Sequence, residues 1–320
     1  MPTTGGGRGE MTLAAAMGQA VVAMADLFPH ARSAAGDLRA LLDRPEVLVV
    51  PGCFDALSAR LVEAAGHEAA FCGGFSVAAT RLGLPDVGLL SYGEMVDQLT
   101  TVTAATAVPV IADADTGYGN AINAQRSLLG FARAGAACVM IEDQEWPKQC
   151  GHTTGKRVIE RTEAVARVRA AVEMRDEHGL DVLVMARTDA AGAVGFDEAL
   201  HRATAFAAVG ADLTFLEAPQ SIDQMSRYCA EVPGHKVANL VEDGRTPWLD
   251  PTELGEIGYS VALYPVSLLL HAGRAMENAA VLLRGGRSEG DRLAFDEMRR
   301  AVGWNDYDDR LERYEQQEED

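Results

Sequence analysis

The run Val108-Pro109-Val110-Ile111-Ala112-Asp113-Ala114-Asp115, the helical pattern Asn120 to Ala134 closed by Gly135, and the run Cys138-Val139-Met140-Ile141-Glu142-Asp143 together decide the fold. Both apolar runs are short and nearly continuous, as strands covered on two faces are, and both end in acids. The helical pattern between them stops at a glycine, an ordinary C-cap. A strand, helix, strand unit of this kind pairs its strands in parallel.

Working outward, the same alternation recurs. Further strand candidates are Leu48 to Gly52, Ala69 to Cys72, Val182 to Ala186, Leu213 to Leu216, Lys236 to Asn239 and Ser260 to Tyr264, which brings the total to eight. Helical patterns fill the gaps, with Glu160 to Arg175 preceding Gly179 and Phe196 to Val209 ending at Gly210. Eight βα units in roughly 250 residues match a closed (β/α)8 TIM-type barrel better than a doubly wound sheet. No internal repeat exceeds this alternation, and no Gly-rich phosphate fingerprint follows a strand. The expected organisation is an N-terminal extension over 1–35, a barrel over 36–285 and a helical acidic tail over 286–320.

The chain has 320 residues, 48% of them apolar, enough for one well-buried domain. A net charge of −19 argues against nucleic acid and against an anionic membrane surface, since both would repel it. Much of that acid follows Trp304, where eight carboxylates face only Arg310 and Arg313; a solvated helix with a frayed end accounts for it. Cys53, Cys72, Cys138, Cys150 and Cys229 form an odd, scattered set without metal-type spacing, which fits a reducing cytoplasm. No apolar run is long enough to span a membrane. The Ala-rich segment Met11 to Leu27 reads as an added amphipathic helix rather than a signal peptide.

In such barrels the chemistry gathers where strands end and βα loops begin. There stand Asp113 and Asp115, directed to one side by the period of a strand, then Glu142-Asp143, Arg187-Thr188-Asp189, Glu217 and Asn239. Acids on neighbouring strand ends repel one another in a low-dielectric cleft, and a divalent cation resolves the conflict. Hard oxygen ligands without His or Cys partners point to Mg2+ or Mn2+. Helix capping competes as an explanation for Asp143 and Asp189, but three acids at Asp113, Asp115 and Glu142 exceed what caps need.

Between Gln144 and Val158 the pattern loses its periodicity, as a lid over the catalytic face does. Cys150 lies there between Lys148 and His152, and neighbouring cations lower a thiol's pKa, so a proton-transfer role is expected for it. Lys148, Lys156 and Arg157 read either as surface charges or as contacts to an anionic substrate. The fork of Arg187 suits a carboxylate or phosphate, with Glu217 or Glu142 as structural partners in the alternative.

The segments Gly83-Leu84-Pro85-Asp86, Asp113 to Gly119, Glu142-Asp143-Gln144, Pro147-Lys148-Gln149-Cys150-Gly151-His152 and Ala186 to Ala190 resemble the isocitrate lyase and phosphoenolpyruvate mutase superfamily, in the same order from about Asp37 to Gly285. Gln144 to His152 and Thr246-Pro247-Trp248 look most like its branch of methylisocitrate lyase, dimethylmalate lyase, petal death protein and carboxyphosphonoenolpyruvate phosphonomutase. The resemblance implies a barrel with extra helices at both ends, its last helix swapped between subunits of a homotetramer. It implies Mg2+ held by Asp113 and, directly or through water, by Asp86, Asp115 and Glu142. Substrate carboxylates would meet the backbone of Cys72, Gly73 and Gly74, then Gly151, His152 and Arg187, with Glu217 and Asn239 completing the pocket. Many relatives carry Ser or Thr at Cys72, so a hydroxyl contact there is lost. The implied catalytic set is Cys150, Arg187, His152 and Glu142.

The reaction so implied is cleavage of a carbon-carbon bond in a 2-hydroxydicarboxylate of the methylisocitrate or 2-alkylmalate type, releasing a 2-oxo acid, with Cys150 protonating the enolate-like fragment. Alternatives are phosphonomutase chemistry, oxaloacetate hydrolysis and a non-catalytic barrel. The side chain of the substrate depends on which of Phe75, Phe215, Leu240, Pro265 and Val266 face the pocket.

Overall fold

A computed structural model describes residues 27–28, 34–149 and 155–315. Eight parallel strands, β1 (Leu48–Cys53), β2 (Ala70–Cys72), β3 (Val110–Asp113), β4 (Cys138–Glu142), β5 (Leu183–Thr188), β6 (Leu213–Leu216), β7 (His235–Asn239) and β8 (Val261–Tyr264), pair in chain order, and β8 closes on β1. All eight strand candidates form, with small shifts at their ends. The shifts that matter are at the C-terminal ends: β3 runs on to Asp113, β4 to Glu142 and β5 to Thr188, so acids expected after the strands are themselves hydrogen-bonded ladder residues. Glu142 stands in register with Arg187, and Asp113 with Met140.

Strand alternation sorts the core into two layers. Leu48, Val50, Phe71, Ile111, Met140, Leu183, Met185, Leu213, Phe215, Val237, Val261 and Leu263 form one cluster, into which helix Ala34–Leu42 inserts Leu38, Leu41 and Leu42 beside Ala69 and Ala137 at the strand starts. Val139, Ile141, Val184 and Ala186 belong instead to the layer against the helices, with Leu128, Phe131 and Phe206. Helix Ala121–Arg133 begins at Asn120, whose side chain accepts from the backbone of Ile122 and Asn123, and Gly135 leaves it at a φ of +90°. Strands β1 and β8 approach closely at their upper ends, where a Cβ on Gly52 would lie 2.0 Å from the Pro265 carbonyl oxygen.

The helix after β8, Ser267–Leu283, differs from the others of its length: none of its 17 residues is buried, although Leu270, Met276, Val281 and Leu283 are large and apolar. The barrel unit extends over 28–292. Helices Phe295–Ala301 and Trp304–Glu315 belong to a second unit, in which the Leu27 backbone N–H donates to Asp306 at 2.8 Å. The expected helix over Met11 to Leu27 falls almost wholly outside the described residues. Among the described residues no helix is long and apolar enough to cross a membrane.

Candidate active site

At the C-terminal ends of the strands a cavity of about 210 Å³ is lined by Gly73, Gly74, Asp86, Asp113, Glu142, Lys148, Arg187, Glu217 and Asn239, along with apolar residues. That volume lies below the usual range for sites that take drug-sized ligands and suits a small acid rather than a nucleotide.

Its acidic half is built around Lys148. The ammonium lies 2.6 Å from Asp86 and 2.6 Å from Asp115, and all three side chains are buried. Burial alone would lower the lysine's pKa, but Asp115, Asp113, Glu142 and Asp86 together raise it well above the usual value, so it stays charged. Asp113 uses one oxygen to accept from the Gly74 N–H at 3.0 Å and the other from the Asp115 N–H at 2.9 Å. The two aspartates converge as expected, though not by strand periodicity: β3 ends at Asp113, and Asp115 turns back with a φ of +47°. Burial pushes the Asp115 carboxyl up to about 6 against the pull of Lys148. Glu142 is raised well above the carboxylate range, by burial first, and its Oε1 has no hydrogen-bond partner among the described residues. A Cβ on Gly74 would come 3.2 Å from Asp113 Oδ2, so a larger residue there would crowd that carboxylate.

The second half is organised by Arg187. Its Nε and Nη2 donate to the two oxygens of Asp189 at 2.9 and 3.1 Å, Nη2 lies 3.0 Å from Glu217, and Nε lies 3.4 Å from Glu142. Burial works against its charge, but Asp189, Glu217 and Glu142 more than compensate. The guanidinium stands over the Phe215 ring, 5.0 Å from its centroid, a favourable cation–π position. Asn239 donates its amide to both oxygens of Glu217. Asp189 is fully buried and also takes the Lys156 ammonium at 2.6 Å, so it orients Arg187 instead of capping a helix. Asp143 is likewise no cap. It accepts from the Thr188 hydroxyl, the Asp189 N–H and Arg202, and so fixes the segment that carries Arg187.

The connection that follows Asp143 is anchored at its root. Gln144 and Val158 form an antiparallel bridge, Glu145 N–H donates to the Arg157 carbonyl, and the Gln144 side chain holds both the N–H and the carbonyl of Gln149. Cys150, Gly151 and His152 lie outside the described residues. Among the described residues no three His, Cys, Asp or Glu side chains are arranged as ligands of one ion, and Asp86 and Asp115 are paired with Lys148.

A family model described as phosphoenolpyruvate phosphomutase matches residues 38–284. The chain belongs to the phosphoenolpyruvate mutase and isocitrate lyase superfamily. 2,3-Dimethylmalate lyase of Eubacterium barkeri is 42% identical over 242 residues, covering 76% of this chain and 83% of that protein. The chloroplastic carboxyvinyl-carboxyphosphonate phosphorylmutase of Arabidopsis thaliana is 39% identical over 258 residues, 79% of this chain and 75% of that protein. A solved oxaloacetate acetylhydrolase in complex with 3,3-difluorooxalacetate superposes with a TM-score of 0.82 at 33% identity, covering 86% of this chain and 95% of that one.

As a member of this superfamily the chain is an enzyme. Its barrel brings Asp86, Asp113, Asp115, Glu142, Arg187, Glu217 and Asn239 together with the Gly73 and Gly74 backbone. The Cys72 side chain packs in the layer against the helices, fully buried as a small hydrophobe, with its thiol pushed well up by burial, so only its backbone is left to meet a ligand beside Gly73. Of the apolar candidates Phe75, Phe215, Pro265 and Val266 line the cavity, whereas Leu240 is buried behind it and Val241 takes its place. Sequence reasoning missed Lys148 and Lys156 as buried ion-pair partners, and Val241, Glu242 and Leu270 as wall residues. The acids around Lys148 carried a usable signal, since so many buried carboxylates require a nearby cation.

Proposed function

We propose that this enzyme is a divalent-cation-dependent carbon-carbon lyase that cleaves a 2-hydroxydicarboxylate to a 2-oxo acid and a carboxylate, within the cytoplasm. The observation that carries this reading is the convergence of Asp86, Asp113 and Glu142 with Arg187 in one small cavity.

The donor set fits a hard cation in kind. Asp86, Asp113, Asp115 and Glu142 offer only oxygens, Lys148 supplies one ammonium among them, and Glu142 Oε1 has no partner among the described residues. Asp113 would hold Mg2+, or Mn2+ in its stead, with Asp86, Asp115 and Glu142 joining directly or through water. When bound, the cation would polarise the substrate's hydroxyl or oxo oxygen. The backbone around Cys72 and Gly73 would meet one substrate carboxylate, beside the Gly74 N–H that Asp113 holds, and Arg187, with Nε and Nη2 held by Asp189 and Glu217, would meet the other through Nη1. The hydroxyl passes its proton to a carboxylate of the acidic half, its oxygen becomes the new carbonyl, and the carbon-carbon bond breaks with its electron pair moving onto the carbon beside the departing carboxylate. Cys150 gives that carbon a proton, and takes one in the reverse direction. Gly151 and His152 complete the substrate contacts from the lid, and His152 and Glu142 belong to the catalytic set.

Cys150→Ser is expected to abolish 2-oxo acid release while sparing Mn2+ binding measured by electron paramagnetic resonance; an almost fully active variant would remove Cys150 from the proton transfer. Asp113→Ala is expected to lose Mn2+ affinity and activity together, and retained affinity would refute the ligand assignment. The similarity to carboxyvinyl-carboxyphosphonate phosphorylmutase supports a phosphonomutase as second reading. Phosphorus NMR separates the two, because only the mutase forms a carbon-phosphorus bond.

Helix Ser267–Leu283, unburied yet apolar, supports a homotetramer in which this helix is swapped between subunits. Sedimentation showing a monomer at micromolar concentration would count against it.

A further inference from the structure

Lys156 is a buried cation that the proposed reaction does not use. It lies outside the lining of the cavity, and its side chain is 3% exposed. The fold delivers it there. The Gln144–Val158 bridge and the bond from Glu145 N–H to the Arg157 carbonyl fix the returning chain just after Lys156. Its stem packs beside the short helix Ala190–Ala193, where a Cβ on Gly192 would lie 3.6 Å from its Cε. Asp189 precedes that helix, with its backbone N–H held by Asp143 at 2.8 Å. One oxygen of Asp189, Oδ1, takes the Lys156 ammonium at 2.6 Å and Arg187 Nη2 at 3.1 Å, and Oδ2 takes Arg187 Nε at 2.9 Å. Among the described residues three carboxylates, those of Asp189, Glu217 and Glu142, lie within 3.4 Å of the Arg187 guanidinium. Such an excess of negative charge in a buried site repels an incoming anion. Lys156 lowers the excess by one charge, at the acid that grips Arg187 with two hydrogen bonds.

We propose that Lys156 is a positioning residue for substrate binding: seated on Asp189, its ammonium offsets that carboxylate, so that Arg187 stays fixed through Nε and Nη2 and still attracts a substrate carboxylate at Nη1. The inference rests on one part of the lyase reading, the substrate carboxylate on Arg187, and adds a residue outside the cavity lining. Without Lys156 the charge of the guanidinium is matched by Asp189 alone, and Glu217 and Glu142 face the bound anion uncompensated. A merely structural anchor behaves differently. Shape and hydrogen bonding would serve it, and its loss would move stability while leaving anion affinity in place. Because the Lys156 and Asp189 side chains are sealed from solvent, dissolved salt screens their charges little, so the effect persists at physiological ionic strength.

The test is calorimetric titration of oxalate, a probe with two carboxylates, into the full chain saturated with Mg2+. Lys156→Met fills similar space without charge and is expected to weaken oxalate binding by about tenfold or more, the scale of one unit charge several ångströms away at an effective dielectric constant of about 20. Lys156→Gln keeps a donor for Asp189 and is expected to weaken it as much, so it carries the comparison should Lys156→Met not fold. Lys156→Arg keeps the charge and is expected to stay within about threefold of the parent. Mn2+ affinity by electron paramagnetic resonance is expected to be parental in all three. With 2,3-dimethylmalate as substrate, KM is expected to rise about tenfold in Lys156→Met with kcat within about threefold of the parent, the pattern of an interaction lost equally from ground and transition states. Parental oxalate affinity in the uncharged variants, an equal loss in Lys156→Arg, or no oxalate binding by the parent overturns the inference. A parent that binds oxalate but releases no 2-oxo acid from 2,3-dimethylmalate overturns the lyase reading and leaves the anion contact, and this inference with it, standing.

Discussion

Exchanging Arg187 for Lys is expected to lower kcat/KM by about 100- to 1000-fold while the melting temperature stays within a few degrees of the parent. Lysine preserves the positive charge among Asp189, Glu217 and Glu142, so the buried acids keep a counter-ion. What it loses is the planar fork. Arg187 spends Nε and Nη2 on Asp189 while Nη2 also reaches Glu217, and that fixed orientation aims the guanidinium at the cavity. An ammonium on a flexible stem adopts no such aim and cannot stack on Phe215 in the same way. Arg187→Met is a different experiment. It leaves Glu142 and Glu217 buried without their guanidinium and Asp189 with Lys156 alone, and is expected to cost about 3 to 5 kcal/mol of stability, visible in chemical denaturation. A lysine variant with parental kinetics would show that charge alone suffices and that the orientation imposed by Asp189 has no catalytic consequence.

The second large effect is expected at Lys148. Lys148→Met leaves Asp86 and Asp115 buried without their shared ammonium and removes a cation from the neighbourhood of Asp113 and Glu142. Stability without divalent cation is expected to fall by about 3 kcal/mol or more, and turnover by at least about 100-fold. Because the acids remain, the variant should regain more stability on addition of Mg2+ than the parent does. Equal Mg2+-induced shifts in the two melting curves would show that the acid cluster does not serve as the cation's seat.

These effects bear on what a sequence can disclose. The barrel was legible because every strand is a short apolar run bounded by a turn signal, and the site acids were legible because strand ends in a barrel share one rim. Partner choice was not. Lys156 meets Asp189 across 33 residues of chain, and Asp86 comes from a loop far from Lys148 in sequence, so charges that look solvated in a polar loop prove to be sealed. Asp189 sits at a helix N-cap and Asp143 at a strand exit where a cap was expected, and only their partners, Thr188, Arg202, Arg187 and Lys156, distinguish anchoring from capping. Facing was ambiguous by a single residue at one place, Leu240 for Val241. One step along a strand or its exit exchanges inside for outside.

The closeness of Gly52 to the Pro265 carbonyl has a consequence for how such enzymes can change. Any side chain at position 52 would force the backbone there or at Pro265 to shift, and Pro265 shares the hydrocarbon wall of the cavity with Val266 and Leu270. A mutation that never touches a ligand could thereby retune which molecules are admitted, giving evolution a remote adjusting screw on a chemistry whose working parts stay put.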